Sequence, residues 1–409
     1  MLGAMGTEKL LVVKFGGSVL EDGESIRRAA EAVRRERLRN RGVVVVVSAM
    51  KGTTDRLLET ARKISQSPAP EMVDYILALG EEESARIMTA ALRSIGLDAV
   101  EVTPDSPSWP IVTEEEHGCA EPLLEECRNQ VELGLKPLIE RGKVPVVCGF
   151  IGKSPSGRAT TLGRGGSDIT AVLLARLLGA EELVLVKDVG GIYSADPHRV
   201  GDAKLIEDLE AEEAYLLASA GAKVLHSKVF KYKPEGLKVR VTSNSGRLEE
   251  GGTLIHGEVP DLQVVSYDRP VLLVTVVGDG LSNQRALAEM TEEIVGRGMK
   301  VLSLRADDRA VNLIIDGEPS EVLEAVHRVA CSENLLKGLS ALEDLALITV
   351  KGRRLEALPE AIQRIAEPLA KRGIKIYESL TIHNSVSLLI RWGRREEALR
   401  LIRETLGCV

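Results

Sequence analysis

From Lys9 to about Ile255, short β-branched apolar runs alternate with longer segments whose apolar residues recur at helical spacing. The runs at 10–15 (LLVVKF), 42–50 (GVVVVVSAM), 144–152 (VPVVCGFIG) and 182–189 (ELVLVKDV) are almost unbroken. A strand needs such unbroken apolarity when helices cover both faces of a parallel sheet. Between these runs, 25–40, 54–64, 71–95 and 119–142 read as helices. Regular alternation of this kind predicts an α/β fold, an αβα sandwich around a mainly parallel central sheet. Each strand empties into a polar or glycine-bearing loop: 14–18, 48–53, 149–152 and 187–191. Open α/β sheets bind ligands outside the carboxyl ends of their strands, so these four loops are expected to converge on one site.

Beyond about Gln263 the rhythm changes to strand, helix, strand, strand, helix, strand, and it occurs twice. The first copy runs through 269–278, 287–298, 300–307, 310–316 and 321–330, and the second through 345–352, 359–373, 374–380, 385–392 and 396–406. The repeat predicts a duplicated ferredoxin-like (βαββαβ) module. Gly251-Gly252 and Pro260 mark the hinge, giving expected domains at 9–260, 261–338 and 339–409. Residues 1–8 read as a tail outside the fold.

A chain of 409 residues exceeds one typical core, in keeping with two or three domains. A net charge of −8 and an aromatic content of 3% leave neither a basic surface nor stacking platforms for nucleic acid. No apolar run is long enough to span a bilayer, and the N-terminal stretch lacks the order of a secretory signal, so the expected location is cytoplasmic. The cysteines at 119, 127, 148, 331 and 408 form no Cys-x-x-Cys pair and the histidines no ligand pair, so no zinc site is expected and most of these cysteines read as small buried hydrophobes.

The most informative stretch is 160–171, TTLGRGGSDITA, which runs into an apolar helix. Glycines 163, 165 and 166 permit a tight turn and close backbone approach, and a helix starting near Ser167 aims unpaired N–H groups and a positive dipole end at its ligand. Arg164 adds a planar fork suited to carboxylate or phosphate. The other reading is a plain strand-to-helix turn with Ser167 or Asp168 as N-cap. Dinucleotide-loop and P-loop patterns both fail, because position 168 is aspartate and position 147 is valine.

Lys14 ends an apolar strand before Gly16 and Gly17, an arrangement useful for neutralising a transferring phosphoryl group, or simply a strand-end lysine facing solvent. Asp168 could orient a lysine or cap the helix. Asp188 could hold ribose or magnesium-bound water, or form a turn. Lys223 could reach nucleotide phosphates or lie on a solvated helix. Glu81, one of three adjacent acids, reads by itself as part of a solvated face.

In chain order, VVKFGGSV, VVVVVSAMKGTTD, LGEEES, GFIG, TTLGRGGSDITA, DVGGIYSADP and GAKVLH resemble the motifs of aspartokinases, within the amino acid kinase family. The resemblance covers nearly all of the first 255 residues. The duplicated module resembles the paired ACT domains that follow the catalytic domain in that family and bind amino acid effectors; a segment around 262–266 is then expected to complete the second. The resemblance implies ATP-dependent phosphorylation of L-aspartate to 4-phospho-L-aspartate, with Mg²⁺ held mainly by phosphate oxygens and water. It implies that Lys14 and Asp168 are catalytic, with Gly16, Gly17 and Ser18 around the transferring phosphoryl group. Ser48, Thr54, Glu81, Arg164 and Ser167 would surround aspartate, and Lys187, Asp188, Tyr193, Asp196 and Lys223 the nucleotide. It further implies a homodimer or higher homo-oligomer. Lys187 stands where threonine is common in the family. The competing readings are a kinase of this fold with another carboxylate or phosphate acceptor, and a non-catalytic amino acid sensor.

Overall fold

The protein is described from a computed structural model, for residues 9–222, 225–244, 247–248, 250–279, 284–332, 336–356, 360–382 and 384–407. One compact unit ends at Val259 and a second begins at Pro260.

The first unit runs β1 (Leu10–Phe15), α1 (Gly23–Leu38), β2 (Gly42–Val47), α2 (Thr53–Ile64), α3 (Pro70–Ser94), β3 (Ala99–Val102), α4 (Leu124–Gln130), α5 (Lys136–Glu140), β4 (Val144–Cys148), β5 (Ile151–Lys153), β6 (Ala159–Thr161), α6 (Gly166–Leu178) and β7 (Glu182–Lys187). It continues with β8 (Ile192–Tyr193), β9 (Leu205–Ile206), β10 (Asp208–Glu210), α7 (Ala211–Ser219), α8 (Val229–Tyr232), β11 (Lys238–Ser243) and β12 (Thr253–His256). The eight-stranded sheet has the order β10-β12-β11-β7-β1-β2-β4-β3. From β11 to β3 every pairing is parallel, and β12 turns back antiparallel on β11. All six residues of β2 and all five of β4 are buried, which is why those runs carry no polar alternation. Helices α1 and α3 pack together against β2 to β4, and α6 covers β1 and β7, completing the αβα sandwich. Because β1 has β2 on one side and β7 on the other, the chain reverses its winding there, and the crevice at such a reversal is the usual ligand position.

The expected helix at 119–142 is shorter and interrupted. Residues 119–123 are held as extended chain, the Ala120 and Leu123 N–H groups donating to the Thr161 and Val112 carbonyls, and the helix begins only at Leu124. A wide π turn at Val131–Leu135 then separates α4 from α5.

The second unit contains β13 (Gln263–Ser266), β14 (Val271–Gly278), α9 (Gln284–Gly296), β15 (Lys300–Ala306), β16 (Ala310–Asp316), α10 (Pro319–Ser332), β17 (Leu336–Lys351), α11 (Arg353–Glu356), α12 (Ala361–Lys371), β18 (Glu378–Ile382), β19 (Ser385–Arg391) and α13 (Arg395–Leu406). Its antiparallel sheet has the order β15-β16-β14-β17-β19-β18, with β13 against β17. The 16-residue β17 serves both copies of the repeat and runs through the expected 338/339 boundary. Its first half pairs with β14, and its second half pairs with β19 and β13. Val264 of β13 lies in the core of the second copy with Ile348, Ile365, Leu388 and Ile402, while Val274, Met290, Leu313 and Val326 belong to the core of the first. Among the described residues no helix is long and apolar enough to cross a membrane.

Candidate active site

The loops leaving β1 and β2 and the turn into α6 enclose a cleft of about 440 Å³ at the carboxyl end of the sheet. Lys14, Gly17, Ser18, Ser48, Thr54, Glu81, Arg164, Ser167 and Asp168 all line it. The first two loops are in tight contact: a Cβ on Gly17 would lie 2.6 Å from the Ala49 carbonyl oxygen, so only glycine fits there without displacing the second loop.

Helix α6 begins on Gly165, in the left-handed region at φ 76° and with no side-chain cap, so neither Ser167 nor Asp168 serves as N-cap. A Cβ at Gly165 would lie 2.5 Å from the Cβ of His226 as well as straining the backbone. With the cap role excluded, Ser167 and Asp168 are free to be used inside the cleft. Phe150, a non-glycine residue at φ 69°, also lines the cleft, and its N–H donates to Thr170 Oγ1 at 3.1 Å. A left-handed phenylalanine stores strain of the kind that gathers at functional sites.

Asp168 is buried between two ammonium groups. Lys14 Nζ lies 2.8 Å from Oδ1, and Lys187 Nζ donates to Oδ2 at 2.9 Å. Burial works to raise the Asp168 pKa, but the two lysines outweigh it and hold the carboxyl far below the usual carboxylate range. The alternative for Lys14, a strand-end lysine in solvent, is overturned by its 6% exposure.

Glu81 corrects the reading of a solvated acidic run. It is 4% exposed, facing the cleft from α3, whereas Glu83 is exposed. Burial pushes its pKa up to about 8, against the lowering effects of the Ala49 N–H and the Lys14 charge. Its Oε2 is buried without a hydrogen-bond partner among the described residues. Helical spacing contains the signal that distinguishes the three acids, since Glu81 shares its stripe with the buried Leu77, Ala78, Ala85 and Met88.

Arg164 is exposed at the cleft with no ion-pair partner among the described residues. Gly16, in the loop after β1, is not among the cleft-lining residues; its N–H donates to the Val186 carbonyl at 3.1 Å. Asp188, Tyr193 and Asp196 follow β7 and are not among the cleft-lining residues; Asp196 Oδ1 accepts from the His198 N–H at 3.0 Å. Lys223 lies outside the described residues. Met50, Lys51, Asp55 and Phe150 also line the cleft and were not singled out from sequence, although three of them sit in loops expected to converge. Lys51 is paired with Glu21 at 2.6 Å across the first two loops. Of the described cysteines Cys127 and Cys148 are buried as expected, but Cys119 and Cys331 are exposed.

A parallel sheet reversing at β1, a glycine turn feeding a helix N-terminus, and a buried carboxylate carrying two ammoniums define a site built for phosphoryl transfer to a small anionic acceptor. The model of the amino acid kinase family matches residues 9–243. The aspartokinase of Geobacillus stearothermophilus is 32% identical over 97% of this chain and 97% of its own. Among solved structures, aspartate kinase from Synechocystis matches with a TM-score of 0.73 and 24% identity, covering 98% of this chain and 69% of that one. Aspartokinase III of E. coli, solved with lysine and aspartate in its T-state, matches with a TM-score of 0.53 and 25% identity, over 97% of this chain and 99% of that one. The chain belongs to the amino acid kinase family, among its aspartokinases.

Proposed function

We propose that the chain is an ATP-dependent aspartate kinase that transfers the γ-phosphoryl group of ATP to the side-chain carboxylate of L-aspartate. The observation that carries this reading is the pairing, in one cleft, of the Lys14–Asp168 ion pair, backed by Lys187 on the second oxygen of Asp168, with the buried, half-partnered Glu81. A cationic cluster suits a phosphoryl group, and an orphaned buried carboxyl oxygen suits an ammonium. The substrate then spans the cleft. Glu81 takes the α-ammonium, Arg164 the α-carboxylate, and Ser48, Thr54 and Ser167 contribute hydrogen bonds.

An oxygen of the side-chain carboxylate attacks the γ-phosphorus, the bond to the β-phosphate oxygen breaks, and ADP leaves. That carboxylate is ionised at neutral pH, so no general base is required. Lys14, Gly16, Gly17 and Ser18 neutralise and hold the moving phosphoryl group, Asp168 orients Lys14, and Asp188, Tyr193, Asp196 and Lys223 serve the nucleotide. Mg²⁺ would arrive with ATP, held by phosphate oxygens and water, where it would screen the triphosphate charge.

We assign residues 9–260 as the catalytic domain of a cytoplasmic homo-oligomer, and the two ACT modules of 261–409, which share β17 across the expected 338/339 boundary and of which the second is completed by 262–266, as the seat of an amino acid effector. The reaction is tested by ADP release from Mg-ATP with each acceptor, and by trapping the acyl phosphate of the carboxylate acceptors with hydroxylamine. L-aspartate should be turned over in preference to L-glutamate, N-acetylglutamate and UMP. One extra methylene moves the nucleophile by over an ångström, a displacement that can cost on the order of a hundredfold. Equal turnover of any competitor would remove the assignment.

A further inference from the structure

Lys187 is the end residue of β7, and its place follows from strand geometry. Lys14 of β1 is in register with Leu185 of β7. Side chains two apart on a strand share a face, so Lys187 emerges on the same side of the sheet as Lys14. Asp168, in the first turn of α6, meets both ammoniums there, one on each oxygen, at 2.8 and 2.9 Å. All three side chains are mostly withdrawn from water, Lys187 being the most exposed at 17%.

Two ammoniums and one carboxylate leave a surplus positive charge in a poorly solvated place. An excess buried charge is costly unless something opposes it. Glu81, the other buried acid of the cleft, is largely protonated near neutrality and does not cancel the excess. The missing partner is an anion supplied from outside. Lys187 itself does not line the substrate cleft, so its influence on that anion passes through Asp168.

We propose that Lys187 is a positioning residue for phosphoryl transfer: by taking the second oxygen of Asp168 it keeps that carboxylate from neutralising Lys14 and leaves the cluster with one net positive charge for the transferring group. This rests on the phosphoryl-transfer reading of the site. With Lys187 absent, Asp168 and Lys14 would form a closed neutral pair, and the Lys14 ammonium would be drawn to its carboxylate rather than offered to the phosphoryl group.

The test uses the full chain with Lys187→Met, which keeps the stem and removes the charge, and Lys187→Arg, which keeps the charge. Lys187→Met should lower kcat about 10- to 100-fold, somewhat less than loss of a direct transition-state donor, and weaken calorimetric binding of the non-hydrolysable analogue AMP-PNP. The aspartate KM should stay within about twofold, because the loss falls on the transition state and not on the acceptor. Lys187→Arg should recover most of the loss. In a double variant with Lys14→Met, the Lys187 change should add little, as expected of residues acting through one group. Unchanged kcat in Lys187→Met, equal impairment of Met and Arg variants with a shared fall in Tm, or fully additive losses would each overturn the proposal. A wild-type chain that forms no acyl phosphate would overturn the parent reading instead, and the AMP-PNP comparison would still show whether Lys187 shapes an anion site.

Discussion

Glu81 holds a carboxyl group where its charge is poorly tolerated, with one oxygen unpartnered and almost no water around it. Its pKa of about 8 in the fold stands above the ordinary value of 4.5, so the folded chain keeps a proton that the unfolded chain releases. Stability of the free enzyme should therefore fall as pH rises from about 4.5 through about 8 and then level off, by a few kcal/mol at most. Thermal unfolding across that range should lose this slope in Glu81→Gln. Substrate binding bears the opposite sign: an arriving ammonium favours the carboxylate, so aspartate binding expels a proton and its KM should drop as pH rises from about 6 to about 8. Glu81→Gln should weaken aspartate binding by about 1.5 to 3 kcal/mol, the range for a hydrogen bond to a charged group, and flatten the pH dependence. A variant retaining the same KM slope would show that another group titrates. Lys14→Ala should instead lower kcat by roughly 10² to 10³, the cost of one preorganised charge, with little change in aspartate KM. The two roles were legible in different degrees. Lys14 announces itself by ending an apolar strand before two glycines, but Glu81 hides in a run of three acids until its helical stripe is considered.

Helix α6 begins and ends on left-handed glycines, and their surroundings differ. Gly165, at φ 76°, has the His226 side chain against the space a Cβ would need, whereas Gly179, at φ 64°, has open space. Gly179→Ala should cost about 1 to 2 kcal/mol, the penalty of a left-handed alanine, and leave kinetics unchanged. Gly165→Ala should cost more, because the clash adds to the strain, and should impair turnover by shifting the residues that follow it. Denaturant midpoints with steady-state kinetics on the two variants check this; equal kinetic effects would mean that the N-terminal placement of α6 is not what matters. At this scale the sequence was readable wherever one face or both faces of an element are uniformly buried, as in β1, β2, β4, β7 and α6. It misled where local contacts override periodicity. The backbone at 119–123 is tied to Thr161 and Val112 instead of entering a helix. The first half of β17 carries Gly338 and a left-handed Asp344, so its pattern reads as a break although it pairs with β14 along its length.

In the molecule as a whole, a period of roughly 70 residues in the C-terminal sequence reveals a duplication but not how the copies share strands. The segment that precedes the first copy, β13, pairs with the half of β17 belonging to the second, a long-range pairing that no local pattern encodes. The shared β17 makes the two copies one sheet, so a change in either copy has a continuous path to the other through β14, β17 and β19. A unit of this size without any part of the proposed catalytic cluster needs another use. We propose amino acid control of the kinase, with lysine or threonine as the candidate effector. E. coli aspartokinase III, which has this fold, was solved with lysine bound. Control of that kind requires the effector to favour one state of the chain over another, so an inhibitor should shift apparent aspartate affinity by about 5- to 150-fold. By the same reciprocity, aspartate should weaken effector binding by an equal factor that levels off at saturation, whereas competition at the cleft would weaken it without limit; calorimetric titrations at rising aspartate separate the two. If lysine, threonine, methionine and their mixtures neither bind nor inhibit, the duplicated module has a structural, assembly-forming role and the regulatory proposal fails.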